Sequence, residues 1–157
     1  MCRSVFQCSH RVTYAECTAG NHVYYARYLD LLEAARGEFF RQLGTPLLQW
    51  QDQDTFFPVI ECHLRYKYPA RYDDVLTIEV WVTLAAGARI NFAYRVLNQT
   101  GKLVLEGETY HVCARLNEKP RRLPTGLSGR LSALGRKFGD VFTIRLPKPA
   151  TAFVSAC

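Results

Sequence analysis

The chain has 157 residues, 48% of them hydrophobic, which suffices for one globular domain with a substantial core. Its formal net charge is +6, but residues 1–118 hold 12 Lys and Arg against 13 Asp and Glu, whereas residues 119–157 hold 8 against 1. No apolar run is long enough to span a membrane, and the N-terminus lacks the apolar stretch of a signal peptide. We therefore expect a cytoplasmic protein without a membrane span.

The first predicted elements are a strand and a long helix. Residues 6–14, FQCSHRVTY, place polar residues among Phe, Val and Tyr, as in a strand with one solvated face. The helix is predicted to begin between Gly20 and His22, with Asn21 as N-cap, and to end at Leu43, because Gly44 is a typical helix stop.

Four further strands are predicted from segments rich in Val, Ile, Tyr, Phe and Thr, within residues 55–69, 73–87, 89–99 and 102–116. Because short turn-forming connections separate them, sequence neighbours are expected to pair as an antiparallel meander. A short helix is predicted over residues 127–138, followed by an irregular tail.

Polar groups interrupt the apolar face of the long helix. Arg36 falls in the middle of that face, with Glu33 and His22 along its flank. Glu33 and Arg36 are three residues apart, so a buried ion pair is predicted, with a catalytic role for Glu33 as the alternative. His22 lies at the predicted helix N-terminus, where free backbone amides attract an anion or a developing oxyanion.

Other site types have little support. The six cysteines and four histidines lack the paired spacing of a zinc site, so no metal and reduced thiols are expected. The basic C-terminal segment is compatible with nucleic acid, an anionic membrane, a phosphorylated small molecule or plain solvation. A nucleic-acid-binding module is disfavoured, because strands and core account for the aromatic residues of the body.

The stretch YAECTAGNHVYYARYLDLLEAAR, residues 14–36, resembles the signature of hotdog-fold thioesterases of the 4-hydroxybenzoyl-CoA thioesterase type. That signature is an aromatic residue, an acidic loop with aspartate and glycine, a Val and a Tyr at fixed spacing, and E-x-x-R on the helix. The segments FPVIECHLRYKYPARYDDVLTIEVWV, INFAYRVLNQTGKLVLEGETYHVCA and KPRRLP follow in the family's order.

The resemblance implies an α+β hotdog fold, in which a curved antiparallel sheet of about five strands wraps a long central helix. It implies residues 1–124 as the hotdog domain, with residues 125–157 as a basic extension packed on it or trailing from it. It also implies a homodimer with active sites at the interface, and a dimer of dimers stays open.

By the same resemblance, the activity is hydrolysis of an acyl-CoA or acyl-carrier-protein thioester, with coenzyme A as part of the substrate and no other cofactor. The backbone of Asn21, His22 and Val23, with Tyr25 beside it, is expected to bind the thioester carbonyl. Lys119, Arg121 and Arg122 are expected to lie near the CoA phosphates, because phosphates attract clustered cations.

One departure from the family pattern concerns the expected base. In register with Tyr14, Val23 and Tyr28, the loop aspartate is replaced by Thr18, and the usual glycine by Asn21. Threonine cannot act as a carboxylate base and needs activation by His22 or Glu16 to act as a nucleophile.

Three explanations remain open for the missing aspartate. Glu16 in the same loop, ranked first, or Glu33 on the helix could supply the base. Alternatively, the protein binds acyl thioesters without hydrolysing them.

Overall fold

The structure is a computed structural model that describes residues 5–137. Its strands are β1 (Phe6–Arg11), β2 (Val59–Tyr66), β3 (Val75–Ala86), β4 (Arg89–Leu97) and β5 (Leu103–Val112). Its α-helices are α1 (Arg27–Gln42), α2 (Leu47–Gln51) and α3 (Thr125–Lys137), and a 3₁₀ turn spans Tyr14–Glu16. No helix within the described range is long and apolar enough to cross a membrane.

The five strands form one antiparallel sheet in the order β1-β3-β4-β5-β2. The predicted meander is confirmed for β3, β4 and β5, but it is wrong for β2, which pairs with β5 at the edge of the sheet. The reason is that residues 67–74 form hydrogen bonds with the loop before α1. This connection leads from β2, at one edge of the sheet, to β3 on the other side of β4 and β5. Short spacing in sequence therefore does not make β2 and β3 neighbours.

Helix α1 packs its apolar side against one face of the sheet. Its buried residues recur at helical spacing and are Tyr28, Leu31, Leu32, Ala35, Phe39 and Phe40. They meet the inward residues of the central strands, which include Ile78, Val80, Ile90, Phe92 and Val96. Leu127 and Leu131 of α3 belong to the same core, whereas Phe138 and the rest of the predicted extension lie outside the described residues.

The two ends of α1 differ in how well the sequence predicts them. The C-terminal stop is confirmed, since Gly44 adopts a left-handed conformation with φ 77°. The predicted start is wrong, because α1 begins at Arg27 and its N-cap is Ala26. Residues 17–25 form a loop instead, in which Cys17 and Val23 form an isolated antiparallel bridge.

Candidate active site

A cleft of about 290 Å³ opens between the N-terminus of α1 and the end of β2. Its lining includes His22, Val23, Tyr25, Tyr28, Tyr66 and Tyr68. Lys67 also lines it, and its ammonium group pairs with Glu106 at 3.1 Å. The structure therefore brings three of the predicted site residues, His22, Val23 and Tyr25, to one surface.

The β2 side of the cleft was not anticipated from the sequence. Tyr66, Lys67 and Tyr68 end the strand and enter the connection to β3. The signal was the run RYKYP, in which aromatic residues alternate with cations directly before a proline. Strand pairing of Tyr66 with Leu105 explains such a pattern equally well, so the sequence alone did not mark a site.

Backbone hydrogen bonds tie the loop before α1 to residues 67–74. The Val23 amide donates to the Ala70 carbonyl at 2.9 Å, and the Ala70 amide donates to the Tyr28 hydroxyl at 3.2 Å. The Tyr66 hydroxyl donates to the Tyr25 carbonyl at 3.1 Å. Burial raises the pKa of the Tyr28 and Tyr66 hydroxyls above their ordinary value.

Asn21 adopts a left-handed backbone conformation with φ 54°. Its side-chain oxygen accepts a hydrogen bond from the Tyr72 amide at 3.1 Å, which fixes the loop against the β2–β3 connection. Asparagine is one of the few residues other than glycine that tolerate this conformation. Asn21 therefore adopts the left-handed conformation that suits the glycine expected at this position, and it does not cap α1.

The predicted carbonyl-binding amides need correction. The Asn21 amide donates to the Thr18 carbonyl at 2.9 Å, and the Val23 amide is taken by Ala70. By contrast, the amides of His22, Tyr25 and Ala26 donate no hydrogen bond to any group within residues 5–137. Tyr25 and Ala26 directly precede the first turn of α1, where the helix dipole adds positive potential. Of the three predicted amides only that of His22 is therefore free, and the amides of Tyr25 and Ala26 add two further free donors.

Glu16 is held by its own loop. Its Oε2 accepts hydrogen bonds from the Thr13 amide at 2.6 Å and the Thr13 hydroxyl at 2.8 Å, and His10 Nε2 lies 2.9 Å from Oε1. Partial burial would raise the pKa of Glu16, but the Thr13 and His10 hydrogen bonds outweigh it and leave that pKa below its ordinary value. Glu16 is not among the residues that line the cleft, and this bonding gives it a structural role as a capping-box carboxylate.

Thr18 and His22 face different surroundings. Thr18 is exposed, and both its amide, at 2.8 Å, and its hydroxyl, at 3.3 Å, donate to the His22 carbonyl. The His22 ring has no hydrogen-bond partner in the described part of the chain, and His22 lines the cleft next to Tyr25. Of the three predicted catalytic side chains, only that of His22 belongs to a residue lining this space.

The predicted buried ion pair on α1 is wrong. Glu33 is exposed, and the Arg36 guanidinium instead donates through Nη1 to the Tyr94 hydroxyl at 2.9 Å. The Tyr94 hydroxyl, on the inner face of β4, offers Arg36 a buried acceptor that the helix sequence does not reveal. Both Glu33 and Arg36 line a second cavity, which shares no lining residue with the cleft.

The three basic residues after β5 have different surroundings. The Arg121 guanidinium bonds to the Thr55 hydroxyl at 3.1 Å and to the carbonyls of Gln53 and Asp54, so it fastens the segment after α2. Lys119 and Arg122 are exposed. Bridges of Ala114 with Phe56 and with Pro120 place this segment beside the residues that precede β2, and none of the three basic residues lines the cleft.

Residues 12–133 match the family model of the thioesterase-like superfamily. The chain belongs to this superfamily. An acyl-CoA thioester hydrolase, YbgC, of Escherichia coli is 33% identical over 125 residues, or 79% of this chain and 93% of the relative. An acyl-CoA thioesterase of Haemophilus influenzae, also named YbgC, is 37% identical over 117 residues. The match covers 73% of this chain and 85% of the relative.

A solved structure shows that the fold is shared. A hypothetical protein, TT1821, of Thermus thermophilus matches with a TM-score of 0.77 and 32% identity, covering 82% of this chain and 98% of the other. The predicted resemblance to hotdog thioesterases and the predicted α+β hotdog fold are both confirmed. This superfamily member is therefore an enzyme of the thioester hydrolase class.

Proposed function

We propose that this thioesterase hydrolyses acyl-CoA thioesters in the cleft at the N-terminus of α1. The observation that carries the proposal is the pair of unbonded amides at Tyr25 and Ala26 before α1, together with the cleft that both Tyr25 and His22 line. Preorganised N–H donors at a helix N-terminus suit an oxygen on which negative charge develops. The names of the Escherichia coli and Haemophilus influenzae relatives support acyl-CoA as the substrate class.

In the proposed reaction, the thioester carbonyl oxygen accepts hydrogen bonds from the Tyr25 and Ala26 amides. The His22 imidazole takes a proton from a water molecule as the water oxygen attacks the carbonyl carbon. The carbon–sulfur bond of the tetrahedral intermediate then breaks, and the imidazolium returns the proton to the leaving thiolate. The products are a carboxylic acid and free CoA thiol.

Glu16 is the alternative base. Its hydrogen bonds from Thr13 and His10 favour the ionised form but also make it a weaker proton acceptor. Glu33 does not line the cleft but lines the second cavity. The geometry therefore favours His22 over both carboxylates.

The active form is proposed to be a dimer joined through β2. This edge strand exposes residues on both of its faces, including Val59 at 49%, Ile60 at 55% and Tyr66 at 48%. An exposed apolar edge strand is a site for pairing with another chain. Pairing about a two-fold axis covers the exposed edge of both copies in one interface. Five strands per chain would then make one ten-strand sheet.

Antiparallel pairing about the middle of β2 sets the Val59 end of one strand beside the Tyr66 end of the other. Lys119 and Arg122 do not line the cleft of their own chain, and their segment lies beside the residues before β2, so this pairing would bring them towards the cleft of the second subunit. We infer that they bind the CoA phosphates there, while Arg121 keeps its structural bonds. Reversing the charge of both residues is expected to raise KM for CoA substrates, and the effect should shrink as salt increases. An acyl-carrier-protein substrate would meet the same cations through its own phosphate-linked arm.

The deciding experiment measures thiol release from short, long and aromatic acyl-CoAs by purified protein, with a blank for the exposed Cys62 thiol. We expect turnover by the unmodified chain and no more than a few-fold change in Thr18→Asp. If the natural protein binds these thioesters without releasing thiol, and Thr18→Asp creates hydrolysis, the protein is a non-hydrolytic binder and the proposal is wrong.

A further inference from the structure

A histidine occupies a position on the side of β1 that packs against the core. Partly buried residues alternate with exposed ones along this strand, and Phe6 and Cys8, which pack against the core, are followed at the same spacing by His10. Val12, the next residue in the alternation, is buried in the core. A polar side chain at such a position requires a hydrogen-bond partner.

The partner of His10 is the carboxylate of Glu16. His10 Nε2 lies 2.9 Å from Oε1 and 3.1 Å from Oε2, and the Glu16 side chain is 17% exposed. An ionised carboxylate only accepts hydrogen bonds, so Nε2 carries a proton in this contact. Both the neutral tautomer protonated at Nε2 and the imidazolium meet this requirement. The contact therefore does not depend on the charge of His10.

This contact joins the 3₁₀ turn to the sheet. The two bonds that Thr13 donates to Glu16 are internal to the turn, because Thr13 is its N-cap residue. His10 instead belongs to β1, where it lies opposite Leu76 of β3 in the antiparallel ladder. The capping box thus shapes the turn, and the contact with His10 fixes the turn against the sheet.

The main chain of Glu16 is bonded to the turn that carries the two unbonded amides. The Glu16 carbonyl accepts a hydrogen bond from the Tyr24 amide at 2.9 Å, and the Tyr24 carbonyl accepts one from the Arg27 amide at 2.9 Å. The second bond closes a β-turn with Tyr25 and Ala26 at its two central positions, whose amides take no part in the closing bond. Glu16 therefore holds the first residue of this turn.

We propose that His10 is a positioning residue for hydrolysis: it holds Glu16 against β1, and Glu16 in turn holds the β-turn with the two unbonded amides. The proposal rests on the proposed function, which assigns the thioester carbonyl to these amides. The carbonyl oxygen carries more negative charge in the transition state than in the bound substrate. A small change in the direction of the amides therefore lowers kcat and leaves KM nearly unchanged.

Variants at His10 separate a positioning role from a loss of stability. His10→Leu removes the donor, and kcat is expected to fall about fivefold while KM stays within about twofold. His10→Gln should restore kcat to within about twofold, because the amide nitrogen of glutamine takes nearly the place of Nε2. His10→Asn should not restore it, because the amide nitrogen of asparagine takes the place of Nδ1. Steady-state kinetics below the melting temperature of every variant measure these effects.

Gln7→Leu is the matched control. Gln7 also lies on β1, and its side-chain amide donates to a glutamate as well, Glu79 Oε1, at 2.9 Å. Glu79 belongs to β3 and not to the loop before α1. Both leucine variants remove a bond between β1 and a carboxylate, so both lose stability. Only His10→Leu should lower kcat.

Amide hydrogen exchange tests the same link without turnover. The Tyr24 amide should exchange at least about tenfold faster in His10→Leu than in the wild type, because its acceptor on Glu16 is no longer fixed. The Val23 amide, which is bonded to the Ala70 carbonyl, should keep its protection and serves as the internal reference. Unchanged exchange at Tyr24 would overturn the proposal, whatever the kinetics show.

The proposal and the proposed function can fail separately. Faster exchange at Tyr24, in a protein that releases no thiol, would support the link from His10 to the β-turn and overturn the proposed function. Turnover by the wild type with equal kcat in His10→Leu and Gln7→Leu would overturn the positioning role alone.

The pH profile of kcat excludes a direct catalytic role of Glu16. Partial burial raises the pKa of Glu16, and the bonds from Thr13 and His10 lower it, so His10→Leu should raise it. If Glu16 only positions the amides, the acid limb of the profile should stay in place. An upward shift of that limb, with a fall in kcat of about 100-fold, would make Glu16 the base and overturn the positioning role.

Discussion

The Tyr66 hydroxyl donates a hydrogen bond to the Tyr25 carbonyl at 3.1 Å, which joins the end of β2 to the turn before α1. That turn carries the two unbonded amides, at Tyr25 and Ala26, so the edge strand sets their direction. The rings of Tyr25 and Tyr66 also meet edge-on, with centroids 6.4 Å apart. A residue of the sheet edge thereby positions the carbonyl-binding groups of the cleft.

Removing that hydrogen bond should slow the reaction with little effect on folding. Tyr66→Phe keeps the ring and deletes the hydroxyl, and kcat is expected to fall about tenfold, the rate equivalent of one hydrogen bond. The control is Tyr68→Phe, because the Tyr68 hydroxyl has no hydrogen bond to a described residue and its ring keeps contact with Lys102. Steady-state kinetics on both variants check the prediction, and equal rates in the two would contradict it.

His22→Gln should lower kcat by about 100-fold or more, the usual effect of losing a general base. Because the His22 ring bonds to nothing within the described part of the chain, the melting temperature should stay within about 2 °C of the wild type. Kinetics and a thermal melt on the same preparation give both quantities. If kcat is unchanged, His22 is not the base and Glu16 becomes the leading candidate.

Glu16→Gln is expected to cost stability more than turnover. It weakens the capping box around Thr13 and the contact with His10, an effect of about 1 to 2 kcal/mol in unfolding free energy. The pKa of Glu16 is lower in the folded than in the unfolded protein. The ionised Glu16 carboxylate therefore stabilises the folded protein above the unfolded pKa, and this stabilisation is lost as pH falls through the folded pKa. Urea unfolding should show this acid-dependent part in the wild type and not in the variant. A variant of normal stability that loses about 100-fold in kcat would instead make Glu16 the base.

Stability should also fall between about pH 6.5 and about pH 4 because of His111. Its pKa is about 4 in the folded protein, below the ordinary 6.5, so the folded state favours the neutral ring and loses that advantage as pH falls. The full loss amounts to about 3 kcal/mol. His111 Nδ1 donates to the Phe57 carbonyl at 2.9 Å and Nε2 accepts from the Thr109 hydroxyl at 2.8 Å, and the amide of His111→Gln can donate and accept in the same way without titrating. Its urea midpoint should therefore change less than that of the wild type between about pH 7 and about pH 5, and a parallel change in both would exclude His111 as the cause.

The β2 edge can be tested by its effect on assembly. Sedimentation in dilute buffer should show a dimer, and Ile60→Glu should produce monomers because like charges would face each other across the paired edges. Activity should fall with dissociation if the cleft needs the second subunit. The control is Leu48→Glu, since Leu48 is equally apolar, 67% exposed and lies on α2, away from β2. A wild-type monomer with full activity would refute the shared site.

Local patterns in the sequence determined much of this protein. The apolar spacing of α1, its stop at Gly44, the β3–β4–β5 hairpins and the family signature each depend on residues close together in the chain, where periodicity and turn chemistry are readable. The same signature located the cleft, since His22, Val23 and Tyr25 do meet there.

Only the tertiary structure decided which polar groups are free. Asn21 and Val23 looked like available donors, but their amides are taken by Thr18 and by Ala70, the latter 47 positions further along the chain. Arg36 was paired by sequence spacing with Glu33, yet its partner is Tyr94 on a strand across the core. Whether a helix starts, an amide stays free or an ion pair forms depends on all the hydrogen-bonding and charged groups within reach. Tertiary folding decides which groups these are, and sequence periodicity does not reveal them.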